Sequence, residues 1–190
     1  MKKLLPLIFT CVAIQLSAQK FDGVDKSVMD MVYFPNHAAH DITFAKTLDE
    51  QAKLAPKMRV IYSRPLMNGR KVFGGLIKFN EPWRLGANES TEIQFFTPVM
   101  IGGTLITPGR YTLSCIPTPE KWTLQLYSYV DRWGNYGYDA GKVIASVTAA
   151  TQKSEESIEA LSVIFYEKDG AAILKVGWEN TVAEFPIDLL

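Results

Sequence analysis

The densest set of groups able to do chemistry lies between Arg64 and Phe96. It holds Arg70, then Trp83, Arg84, Asn88, Glu89 and Thr91, interleaved with Gly69, Gly74, Gly75 and Gly86. An arginine offers a planar fork of donors, a glutamate accepts or moves a proton, and Asn and Thr orient a bound group. Glycines let backbone approach a ligand closely. Together these residues suit an anionic or hydroxylated small molecule. The same residues also admit a structural role, with Arg84 and Glu89 paired as a clamp that pins the segment to the domain. A connection of roughly 30 residues without regular periodicity is usually either functional or packed on its own side chains. Asn88-Glu89-Ser90 also fits the N-glycosylation triplet, which is common by chance.

A second stretch, residues 131–139, sets Trp133, Tyr136 and Tyr138 among Gly134 and Gly137. Aromatic faces offered this way can stack on a sugar ring or another flat apolar surface. They can equally form a flap over the core edge. Three further sites are weaker. His37, His40 and Asp41 lie within five residues, but nothing else in the chain pairs with them by pattern. A solvated loop is expected there and no metal site. Cys115 sits in an apolar strand pattern with no base beside it, so a small buried hydrophobe is expected. Phosphate loops, paired metal motifs and nucleophile elbows are all absent from the sequence. No cofactor is implied.

Strand-type alternation dominates the segments that must position these residues. Trp122, Leu124 and Leu126 alternate with Thr123 and Gln125, and Ala172, Leu174, Val176 and Trp178 share a face. Strands are expected at 28–34, 59–63, 92–96, 98–101, 104–107, 110–116, 122–129, 142–148, 161–166, 171–178 and 182–188. Gly102-Gly103 and Lys168-Asp169-Gly170 read as tight hairpin turns. One short helix is expected at 48–54, ended by Pro56, and 154–158 suits a further turn. The pattern is all-β: an antiparallel β-sandwich or jelly roll of about ten short strands in a single domain, residues 19–190.

Composition agrees with a folded domain. The 190 residues include ten Phe, eight Tyr and four Trp, with 47% hydrophobic side chains. That excludes a disordered chain. Twenty basic and twenty acidic residues give no electrostatic reason to expect nucleic acid as a partner. Residues 1–18 read as a secretory signal peptide: Lys2 and Lys3, an apolar run over 4–16, then Ser17-Ala18 before the polar Gln19. The run is too short to span a bilayer, which needs about 20 residues. Cys11 lacks the small residues before it that lipidation would want. An exported chain, periplasmic or secreted, with no transmembrane segment after the leader, is therefore expected. Cleavage after Ala18 leaves Cys115 as the one cysteine and hence no internal disulfide.

Four segments carry a resemblance: Asn68-Gly-Arg-Lys-Val-Phe-Gly-Gly75, Trp83-Arg-Leu-Gly-Ala-Asn-Glu-Ser-Thr-Glu92, Pro108-Gly-Arg-Tyr-Thr-Leu-Ser114, and Ile116-Pro with Trp122-Thr-Leu. Together they resemble a bacterial family of exported domains, the domain of unknown function numbered 2911. The likeness runs from about Met29 to Leu190, and the Trp-Arg-x-Gly-Ala-Asn-x-x-Thr block is its most specific part. The resemblance implies secreted or periplasmic all-β proteins, mostly of Bacteroidetes-type bacteria, and leaves out the His37–Asp41 loop.

The residues lead first to a non-catalytic binding module of the cell envelope. Its ligand would be a small polar molecule or a glycan, held by Arg70, Trp83, Arg84, Asn88, Glu89 and Thr91 with Trp133 and Tyr136. The alternative is a hydrolase using Glu89 as base and Arg84 to stabilise charge, with Asp131, Asp139 or His37 as second titratable group. A third reading is a structural or interaction domain.

Overall fold

The computed structural model describes residues 19–190. Residues 1–18, where a signal peptide is expected, lie with Cys11 outside the described residues. Nine strands are present: β1 Met29–Phe34, β2 Met58–Ser63, β3 Glu92–Phe95, β4 Val99–Ile101, β5 Thr104–Ile106, β6 Gly109–Pro117, β7 Lys121–Tyr127, β8 Val143–Lys168 and β9 Ala171–Leu189. All pair antiparallel in the order β1-β2-β3-β6-β7-β8-β9-β4-β5. The all-β antiparallel class is thus the class of the protein.

The number and length of the strands differ from expectation. Residues 142–148 and 161–166 fall in one strand, β8, and 171–178 and 182–188 in another, β9. The polar stretch 151–157 joins the halves of β8 as strand, so 154–158 is not a helical turn. Its residues are exposed or half-buried, so no apolar alternation marks it. Register shifts on either side of Ile158 also break the period. β8 pairs with β7 through residues 143–150 and with β9 through residues 151–168. The hydrogen-bonded ladder is therefore one continuous sheet.

That sheet turns over a single core. The Phe34 ring of β1 meets the Phe165 ring of β8 edge-on, and the Val163 N–H donates to the Tyr62 hydroxyl at 3.0 Å. Val60, Ile93, Leu113 and Leu124 pack in the same cluster as Val163, Val176, Phe185 and Ile187. Burial of each such side chain contributes on the order of 2 kcal/mol. Cys115 is fully buried here and burial pushes its thiol pKa up, which keeps it an unreactive core residue. Both hairpin turns take left-handed backbone at two successive residues, Gly102-Gly103 and Asp169-Gly170. That is the twist a two-residue hairpin needs.

Two short helices cross from β1 to β2. α2, Leu48–Leu54, matches the expected bounds, and Thr47 and Glu50 form a capping box at its start. α1, Ala38–Phe44, replaces the loop expected around His37–Asp41. His37 caps it in left-handed backbone without a side-chain bond, so no start signal is visible in the sequence. No helix among the described residues is long and apolar enough to cross a membrane.

Candidate functional site

The connection 64–91 leaves β2 and returns to the sheet across the core. Trp83 fixes its course. The Trp83 N–H donates to the Cys115 carbonyl and the Cys115 N–H to the Trp83 carbonyl, each at 2.8 Å, so Trp83 adds one rung beside β6. The indole is buried against Phe73, Trp122 and Trp178, stacked on the last at 5.9 Å. Its Nε1–H donates to the Gly86 carbonyl at 3.2 Å. Thr91, also fully buried, donates its hydroxyl to the Leu85 carbonyl at 2.8 Å. Trp83, Leu85 and Thr91 thus belong to the interior. Gly86 has no room for more: a Cβ there would lie 3.1 Å from Thr91 Oγ1 and 3.2 Å from the Ser63 carbonyl.

The remaining expected residues lie toward the surface. Arg70 is exposed, and donates Nε–H to the Met67 carbonyl at 2.9 Å and Nη2–H to the Leu66 carbonyl at 2.6 Å. Arg84 is half-buried. Its backbone N–H and its Nη1–H both donate to Asn135 Oδ1, at 2.8 and 3.3 Å. Its Nε is buried with no partner. Burial lowers the guanidinium pKa, opposed by Tyr138 and Tyr136 nearby.

The ion pair expected between Arg84 and Glu89 is not formed: no carboxylate among the described residues lies within 4 Å of either Arg84 or Arg70. Asn88 and Leu85 both take left-handed backbone, and such turns redirect successive side chains. Glu89 is exposed and lines a different cavity of about 230 Å³, together with Tyr62, Glu92, Arg110 and Asp131. There Arg110 is already neutralised, its Nη2 lying 2.7 Å from both Glu92 Oε2 and Asp131 Oδ1. Glu89 and Arg84 line separate cavities, so the pairing of these two in a hydrolase is not formed, whereas Asp131 shares the Glu89 cavity. Asp139 is occupied in capping a short turn by accepting the Gly141 N–H at 2.9 Å, and His37 stands at the start of α1, lining neither cavity. His40 Nδ1 lies 2.9 Å from Asp41 Oδ1, and no group of three ligating side chains occurs among the described residues.

The two sequence blocks meet. The Gly134 N–H donates to the Asn88 carbonyl at 2.8 Å, the Ser90 N–H to the Arg132 carbonyl at 2.9 Å, and the Tyr138 hydroxyl to Ser90 Oγ at 3.0 Å. With the Asn135 bonds to Arg84 these fasten loop 128–142 onto connection 64–91. Trp133 and Tyr136 remain 61% and 76% exposed, their rings within 16° of parallel at 6.4 Å. Where connection and loop meet lies a cleft of about 340 Å³, bounded by Arg70, Ile77, Trp83, Arg84, Asn135 and Trp178.

Two residues of consequence escaped the sequence reading. Asn135 holds Arg84 from 51 positions away. Glu179, in left-handed backbone, accepts the Val72 and Phe73 N–H groups at 3.3 and 3.4 Å and so tethers the middle of the connection to β9. Neither had a local signal beyond its polarity.

The architecture defines an all-β domain whose polar cleft is carried on loops over one end of a tryptophan-lined core. The family model described as "Protein of unknown function (DUF2911)" matches residues 44–187, and the chain belongs to that family. Among curated proteins and among solved structures, nothing matches.

Proposed function

We propose that the protein is an exported, non-catalytic binding module of the cell envelope that takes a small polar ligand or a glycan at the Arg84 cleft. The basic leader-like segment at residues 1–18 supports export. One observation supports the binding reading above the rest: the cleft is lined by two arginines and no carboxylate, and the Nε of one of them, half-buried Arg84, has no partner, as is also true of Arg59 Nε elsewhere. Leaving a buried donor unsatisfied costs about 1–3 kcal/mol. Groups kept at such cost cluster where a ligand completes them. Trp133 and Tyr136 do not line the cleft, but on the loop that carries Asn135 they expose aromatic faces suited to a sugar ring.

The test is a nitrogen–proton correlation spectrum of residues 19–190, titrated with a mixture of neutral oligosaccharides and small organic acids. The reading expects shifts confined to the Trp83 indole N–H and the amides of Arg84, Asn135 and their neighbours. Shifts centred on the Glu89–Arg110 cavity, or none from any compound, would overturn it.

A further inference from the structure

We infer that the cleft selects a small molecule bearing an oxyanion, a carboxylate or a phosphate, on a compact apolar body. This rests on the binding reading and narrows its ligand class.

The charge pattern of the cleft carries the argument. Arg70 and Arg84 both line it, and no Asp or Glu does. Elsewhere on the molecule Arg64 and Arg110 are matched by carboxylates, whereas Arg59 and Arg132 have none and lie instead over the Phe96 and Tyr129 rings. Arg64 Nη1 lies 2.9 Å from Asp30, and Arg110 lies against both Glu92 and Asp131. The basin adjoining the cleft is balanced too, since it holds both Lys78 and Glu81, whose charged atoms lie 3.9 Å apart. Within the cleft, then, no carboxylate offsets the two positive charges.

The two guanidinium groups are also held in place before any ligand arrives. Arg70 spends Nε–H and one Nη2–H on the carbonyls of its own loop, which leaves Nη1 to face a guest. Arg84 spends Nη1 on Asn135 and its Nε is buried, which leaves Nη2 as its accessible donor. One N–H from each arginine is then left for a carboxylate or phosphate oxygen. Of the other walls, Trp83, Trp178, Ile77, Leu76 and Pro65 are apolar, and Ser27 and Asn135 are polar but uncharged. A volume of about 340 Å³ falls at the small end of ligand sites. A compact, largely apolar body with a single anionic head matches this lining, whereas a neutral oligosaccharide would leave the two guanidinium groups without an anion.

The experiment titrates benzoate, phenyl phosphate, benzyl alcohol and methyl glucoside into residues 19–190, followed by calorimetry and by the Trp83 indole resonance. Benzoate or phenyl phosphate should bind at least about tenfold more tightly than benzyl alcohol, the difference expected of a charge-assisted pair. The better of the two names the oxyanion. Arg84→Met should remove that preference while the variant retains its circular dichroism, and Arg84→Lys should keep only part of it, since a point charge replaces the fork. Equal binding of benzyl alcohol, or preferred binding of methyl glucoside, with the Trp83 resonance shifting, would overturn the oxyanion inference and leave the binding module standing. Silence of that resonance toward all four compounds would overturn the inference as well. Silence that extends to the oligosaccharide and acid mixture would take the binding reading with it.

Discussion

Connection 64–91 and loop 128–142 are built from the same residue types, with glycine, aromatic and polar side chains in close alternation, yet the fold treats them oppositely. Trp83 is 1% exposed and Trp133 is 61% exposed. Composition does not separate them. Backbone pairing does: Trp83 exchanges two hydrogen bonds with Cys115 at the centre of the core, whereas Trp133 bridges only Glu89 at the rim. The same contrast divides the arginines. Arg110 is flanked by two carboxylates, and Arg84 by an amide and two tyrosines. One loop therefore anchors the fold, the other covers the anchor's outer side, and the seam between them holds the cleft.

The contrast is sharpest in the two tryptophans. Trp83→Ala empties the centre of an aromatic cluster and should cost about 3–5 kcal/mol. At roughly 2–4 °C per kcal/mol for a domain of this size, the melting point should fall by about 10 °C or more. Trp133→Ala should stay within about 0.5 kcal/mol, as exposed positions do. Similar losses in both variants would break the division.

Smaller effects sharpen it further. Glu179→Ala removes the acceptor of the Val72 and Phe73 amides and should lower stability by about 1–2 kcal/mol, measured by urea denaturation. Asn135→Ala should cost about 1 kcal/mol, because the Arg84 backbone N–H loses its acceptor, and should loosen loop 128–142 in amide exchange more than β7 or β8.

The tyrosines behind that loop give a pH signature. Burial raises the pKa of Tyr127 and Tyr138, and pushes that of Tyr129 up to about 12. Their ordinary value is 10.0. The folded state thus keeps protons that the unfolded chain releases, and stability should fall as pH rises from 10 toward 12. Ultraviolet titration of tyrosinate should show this delayed ionisation, and the delay should shrink in Asn135→Ala if the loop opens.

Much of the fold was legible because the strands carry strict alternation and the hairpins carry turn residues that tolerate left-handed backbone. α2 was legible from its composition and from Pro56. The continuity of β8 was not, because residues 151–157 have no buried face to mark the period. α1 was hidden by a start residue that makes no cap. The site was half legible. Trp83, Arg84, Asn88 and Thr91 stood out by type and density, but interior and surface members of one block look alike in sequence. The Arg84–Asn135 contact joins residues 51 apart, and no local pattern announces it.

The central claim is that Arg84 serves the cleft and not the fold. It is tested most directly by the thermal melt of residues 19–190 beside Arg84→Met. Removing a half-buried guanidinium that has no carboxylate partner gives up one side-chain bond, to Asn135, and should cost no more than about 1 kcal/mol, a fall in melting point of about 4 °C at most. A fall of about 10 °C, the size expected when a buried charge pair is broken, would contradict the claim and make Arg84 a structural clamp.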